Sequence, residues 1–179
     1  MLNPAPVWLL DKNVVRRAIE GIGASLVASP LTVQQSLALR LLRRGKQANV
    51  VVMITPEVGN ILSCRSNILE VPLFLREVDT LRRGRYFERW ARRLREHGFT
   101  REDAKILSYG TFGLDPAGLT LGVTVAVTFD LPFINNFRVQ REDLARRLKA
   151  MAVQLPRPYH DARLPEMATP ERVLQMLET

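Results

Sequence analysis

The chain has 179 residues, 46% hydrophobic and 25% charged, with 10 Gly and 11 Pro. These proportions exclude a disordered or collagen-like chain and fit one compact unit able to bury its own core. Its single cysteine, Cys64, excludes an internal disulfide and a thiolate zinc site, so a reducing, cytoplasmic setting is expected. The formal net charge is +8, and only four of the 26 basic side chains are lysines (Lys12, Lys46, Lys105 and Lys149). The positive field is therefore mostly guanidinium, which suits phosphate-bearing polyanions; an arginine-biased proteome produces the same composition.

Residues 1–10 carry no basic n-region, and their apolar run stops at Asp11, which predicts neither a signal peptide nor a membrane anchor. No apolar stretch approaches the length of a spanning helix. Residues 6–10 read as a strand and the segment from Asn13 as a helix. A second helix over 33–44 places Leu37, Leu41 and Leu42 on one face and is expected to stop at Gly45. The β-branched run 50–54 predicts a strand buried on both faces, and Thr55-Pro56-Glu57 opens the next helix with a cap and a first-turn proline. Cys64 follows on that helix and reads as a buried, inert thiol.

One helix is expected over 82–97, its apolar face formed by Phe87, Trp90, Ala91 and Leu94, with Gly98 as its stop. Thr100 then caps a helix running to about Phe112, with Asp103 at the capping-box position. A turn at 115–118 precedes a strand over 121–128 that ends toward Asp130. From Phe137 the pattern gives a short helix around Leu144 and Leu148, a proline-rich loop over 155–165 and a last helix capped by Thr169-Pro170. Strands separated by helices imply an α/β fold with a mostly parallel central sheet and helices on both faces.

In such sheets ligands bind outside the carboxyl ends of the strands. Asp11, Glu57 and Asp130 each follow a predicted strand, and Asp103 opens a helix that can face the same edge. Singly, each has an ordinary role as a turn starter or a helix first-turn acid. Together, four carboxylates on one edge would repel unless a divalent cation neutralised them, and an all-oxygen set suits Mg²⁺ or Mn²⁺. His97 and His160 sit at a helix end and in the proline-rich loop, which gives no pattern for zinc or for histidine catalysis.

The segments Trp8-Leu-Leu-Asp11-Lys-Asn13-Val-Val, Ile54-Thr-Pro-Glu57-Val, Gly98-Phe-Thr-Arg-Glu-Asp103-Ala and Val127-Thr128-Phe-Asp130 occur in an order and spacing that resembles the PIN-domain family. The closing Ala168-Thr-Pro-Glu171-Arg-Val-Leu looks like the tail of part of that family. The likeness runs from about residue 7 to 137, so a PIN-like three-layer α/β/α domain over 1–137 and a helical extension over 138–179 packed on it are expected. Resemblance to this family implies an Mg²⁺- or Mn²⁺-dependent ribonuclease acting on single-stranded RNA. Its VapC-like members are toxins restrained by an antitoxin protein. Position by position, Asp11, Glu57, Asp103 and Asp130 are then the catalytic, metal-binding acids, Asn13 and Thr128 support them, and Asn135 or Asn136 adds a ligand. Lys12 departs from the family, which commonly has a small hydroxyl residue there; a cation beside Asp11 competes with a metal or contacts the scissile phosphate.

The arginines of 82–97, in particular Arg82, Arg85, Arg89, Arg92 and Arg93, form a candidate RNA-binding wall beside the acids, or else a solvated helix face. The alternative reading of the whole chain is a catalytically weak or inactive PIN-like module that binds nucleic acid or protein, with Lys12 in the metal's place. Apolar helices around Leu37 and Leu144 are candidate faces for an antitoxin or for a homodimer.

Overall fold

Alternating side chains along three short strands organise two separate cores. In a computed structural model, which describes residues 5–178, β1 (Val7–Leu10), β2 (Val51–Ile54) and β6 (Val125–Val127) are parallel neighbours and almost wholly buried. Val7, Leu9, Met53 and Ala126 face one core, while Trp8, Leu10, Val52, Ile54, Val125 and Val127 face the other. This is the period of two expected of a strand covered on both faces.

The helices complete the two outer layers. On one face lie α1 (Lys12–Leu26), α2 (Val33–Gln47), α3 (Pro56–Ser63), α4 (Glu70–Leu75) and α8 (Pro170–Met176). On the other lie α5 (Phe87–Glu96), α6 (Arg101–Phe112) and the 22-residue α7 (Leu131–Ala152). With β3 (Asp79–Thr80) and β7 (Glu166–Ala168) at its edges, the sheet has the order β3-β2-β1-β6-β7 and every pairing is parallel. The expected α/β architecture with helices on both faces is present. A separate antiparallel pair, β4 (Arg82–Arg83) with β5 (Gly113–Leu114), lies outside the sheet.

Strand order reverses between β1 and β6: from β1 the chain builds outward to β2 and β3, and from β6 it builds the other way to β7. Such a switch point leaves a crevice at the carboxyl ends of its two strands. Asp11 follows β1 and Thr128 follows β6, and the Asp11 amide donates to the Val127 carbonyl at 3.0 Å, so the two corners meet.

Several expected boundaries shift for identifiable reasons. Gly45 does not stop α2 but lies buried inside it, because a Cβ there would stand 3.0 Å from Cζ3 of Trp8. The helix expected over 82–97 begins only at Phe87. A Cβ on Gly84 would sit 1.9 Å from the Phe112 carbonyl oxygen, and Arg83 is committed to pairing with Gly113. The strand expected over 121–128 shortens to three residues. The short helix expected after Phe137 is the second half of α7, which starts at the Asp130 cap. The proline-rich loop holds a short 3-10 turn, Tyr159–Asp161, and is followed by β7.

The expected division at 137/138 falls within α7, and β7 beyond it pairs with β6, so residues 138–178 supply part of the sheet. Cys64 is exposed at the end of α3, not buried. The leader reading of residues 1–10 lies partly outside the described residues, as do the ends of the two expected domains. Among the described residues no helix is long and apolar enough to cross a membrane.

Candidate active site

Four acids from four different elements line a single cavity of about 350 Å³ at the carboxyl edge of the sheet: Asp11, Glu57, Asp103 and Asp130. Each stands where its local sequence fixes a helix start. Asp11 N-caps α1, with its carboxylate accepting from the Lys12 amide at 2.6 Å, and Asp130 N-caps α7, accepting from the Phe133 amide at 3.0 Å. Thr55 and Thr100 cap α3 and α6, which puts Glu57 and Asp103 in first turns where exposed amides favour negative charge.

Thr128 joins two of these acids, Asp11 and Asp130, and Asn13. Its fully buried hydroxyl donates to Asp11 Oδ2 at 2.8 Å and accepts from Asn13 Nδ2 at 3.0 Å and from the Asp130 amide at 3.1 Å. One donor and two lone pairs are all a hydroxyl has, so its capacity is filled. Asn13 Oδ1 accepts from the Phe129 amide at 3.2 Å, tying α1 to the corner after β6.

Asp11 is only 9% exposed. Burial pushes its carboxyl above the ordinary range against the lowering hydrogen bonds from Thr128 and the Lys12 amide, and the charge of Asp103 raises it further. Glu57 takes the opposite shift. Burial would raise it, but the Arg83 guanidinium, its own backbone amide and the Tyr109 hydroxyl together hold it below the usual value. Arg83 Nη2 donates to Glu57 Oε1 at 2.6 Å, its Nε to the Tyr109 hydroxyl at 3.0 Å and its Nη1 to Glu88 at 3.0 Å, and the Tyr109 hydroxyl donates to Glu57 at 3.1 Å. Tyr109 itself is pushed up to about 12, first by burial.

Lys12 reaches across the rim to Glu102 at 3.6 Å, and Lys105 reaches the same carboxylate at 3.5 Å. Its charge is thus shared with Glu102 on α6. Asn135 and Asn136, a turn or more into α7, do not line the cavity. The arginine wall is not one surface. Arg82 lines a neighbouring hollow with Glu57 and Pro116, Arg85 lies 5.7 Å from the Tyr86 ring, Arg92 is exposed on α5, and Arg89 and Arg93 line a groove against α7. None of the five borders the acid cavity.

Arg83 and Tyr109 were not singled out from the sequence as site residues. Tyr109 carried a signal, since Glu102, Ile106 and Tyr109 stand at i, i+4 and i+7 on α6 and share a stripe. Arg83 carried none, because it enters through β4, a two-residue strand.

Among the described residues no three carboxylates, histidines or cysteines stand close enough to hold one ion. The carboxylates lining the cavity offer only oxygens, although Lys12 offsets the like charge of Asp103 at Asp11. That donor set fits a hydrated Mg²⁺ or Mn²⁺, which takes one or two carboxylates and keeps several waters. Fold and cavity together define an α/β protein with an acid-lined crevice at its topological switch point. The chain matches no protein-family model, no curated protein and no solved structure among those compared.

Proposed function

We propose that this protein is a metal-dependent ribonuclease that cleaves phosphodiester bonds of single-stranded RNA. The observation that carries the reading is the convergence of Asp11, Glu57, Asp103 and Asp130 on one cavity in a chain of net charge +8. Asp11 and Asp130 would hold a hydrated Mg²⁺ or Mn²⁺ whose remaining ligands are water, with Asp103 adding negative charge at the rim. When bound, that ion supplies an activated water and a counter-charge for the leaving oxygen.

The protein's own groups do the rest. Thr128 and Asn13 fix the Asp11 carboxylate toward the cavity, and the α1 and α7 caps hold Asp11 and Asp130 at the switch point. Arg83 keeps Glu57 ionised, so it is poised to accept a proton from an attacking water only when that contact loosens. The resemblance to VapC-like toxins adds an antitoxin protein as a candidate partner; a homodimer rests on the base rate of two-fold oligomers and a cytoplasmic setting on the single cysteine.

Titration calorimetry with Mn²⁺ and cleavage of a labelled single-stranded RNA test the reading on the wild type, Asp11→Asn and Asp130→Asn. Binding and cleavage in the wild type, with both lost in the variants while RNA binding survives, is the expected result. Cleavage by Asp11→Asn at the wild-type rate would overturn it.

A second reading is favoured by two observations: Glu57 is committed to Arg83, and no three-carboxylate group is present among the described residues. Under it the protein is a non-catalytic module that binds nucleic acid. Its mark is RNA binding that weakens with salt while no cleavage appears on adding Mg²⁺ or Mn²⁺.

A further inference from the structure

A second groove runs between α5 and α7, far from the acids. Two adjoining hollows of about 240 and 380 Å³ share Arg147 and Ala150 and form one trough, with Trp90 in its floor and His97 at its far end. From the Asp130 cap to Arg147 α7 advances about 25 Å at 1.5 Å per residue, so the trough is no part of the acid cavity.

Two features set this trough apart among the described residues: buried polar nitrogens left without a partner, and exposed arginines left without an acid. Trp90 is 1% exposed, and its indole Nε1, which can only donate, has no partner among the described residues; His97 Nε2 also has none. Buried donors without acceptors are rare in folded proteins. The arginines tell the same story. Arg93 is paired with Glu96 and Arg146 with Asp143, which uses the acids beside the trough, while Arg89 and Arg147 are exposed and form no ion pair among the described residues.

We infer that the α5/α7 trough binds the phosphodiester backbone of a polynucleotide strand, with the exposed Arg89 and Arg147, free of ion pairs among the described residues, as its phosphate ligands over the buried Trp90 ring. Guanidinium forks match phosphate oxygens two at a time. Trp90 and His97 lie about 10 Å apart along α5, a span longer than one phosphate. The hollow on the other side of α7 is also basic, lined by Arg141, Lys149 and Arg163. A repeating polyanion can follow such a ridge. An acidic peptide would need an exposed apolar anchor in the trough, and its large apolar residues, Trp90 and Met151, are both buried. The indole, lying in the floor, is not a stacking platform, so binding is independent of base sequence.

The test is fluorescence anisotropy with a labelled mixed-sequence 20-nucleotide RNA in EDTA, so that neither metal nor cleavage enters. The full chain is compared as wild type, as Arg89→Gln with Arg147→Gln, and as Arg40→Gln with Arg43→Gln, which removes equal charge from exposed positions on α2. Affinity is expected to fall at least tenfold in the first pair and less than twofold in the second. The slope of log K against log salt should drop by about 1.4 for two lost phosphate contacts on a single strand. The Trp90 indole N–H resonance, assigned with Trp90→Phe, should move on titration. A DNA strand of the same length should bind within a few-fold of the RNA, since the ligand is the backbone. Equal losses in the two pairs, or an unmoved Trp90 signal in an RNA-saturated sample, would overturn the assignment. Binding of polyglutamate with the same dependence on Arg89 and Arg147 would replace it with an acidic peptide. Failure of the cleavage experiment above leaves this one intact, because it reads binding alone.

Discussion

Thr128 does more at the site than any carboxylate, although it carries no charge. Its hydroxyl faces one acceptor and two donors, all at hydrogen-bonding distance and away from water. Thr128→Val keeps the shape and strands Asp11 Oδ2, Asn13 Nδ2 and the Asp130 amide together. Loss of roughly 1–3 kcal/mol in urea unfolding is expected, by the cost of leaving buried polar groups unpaired. Glu57 gives a second residue-level test. Its carboxyl is held below its ordinary value of 4.5, so the stability it contributes is complete above pH 4.5 and fades as pH falls through the lowered folded-state value. Glu57→Gln should therefore be less stable than wild type near pH 7, with the gap closing on acidification below pH 4.5. The gap itself should stay under about 1 kcal/mol, because Glu57 and Arg83 side chains are 36% and 49% exposed and screened by solvent. Thermal melts from pH 7 to pH 3 would show a closing gap or rule this out.

At the scale of elements, the helix starts hold the acids. Thr100 Oγ1 accepts from the Asp103 amide at 3.1 Å, so Thr100→Ala removes the cap and loosens the turn that carries the acid. A loss of about 1 kcal/mol is expected, with faster amide exchange at Asp103 as its local signature. These starts were legible in the sequence because a cap is a short-range device: Thr55-Pro56, Thr100 with Asp103, and Thr169-Pro170 each announce a helix within four residues. Gly45 was misleading for the opposite reason. Only the ring of Trp8, 37 positions earlier, explains why a glycine belongs inside α2. The start of α5 depended in the same way on Phe112 pressing against Gly84. β7 offers three residues between Pro165 and Thr169-Pro170, too few for an alternating pattern, and its strand character comes from pairing with β6. The sequence thus exposed the acids and the architecture, while the Arg83 contact and the trough beneath Arg147 arise from packing between distant segments.

For the whole molecule, residues beyond 137 are structural necessities. A chain ending at 165 loses β7 and α8 and with them the buried Met167, Val173 and Leu174. Three such side chains contribute about 5–9 kcal/mol by transfer, comparable to the full stability of a typical domain. Such a chain should show no cooperative unfolding transition by circular dichroism; a sharp transition at the wild-type midpoint would contradict this account of the sheet.

The Thr128 amide also donates to the Ala168 carbonyl at 3.1 Å, so the residue that orients Asp11 is itself held by β7. During synthesis, which proceeds at about 5–20 residues per second, β7 leaves the ribosome after every element that carries an acid. The last strand of the sheet is therefore also the last to take its place beside Thr128. All four acids can be outside the ribosome and folded locally while the Thr128 corner that joins Asp11 to Asp130 still waits for its neighbour. A nascent chain paused before β7 carries every acid but lacks the Ala168 carbonyl that holds the Thr128 amide.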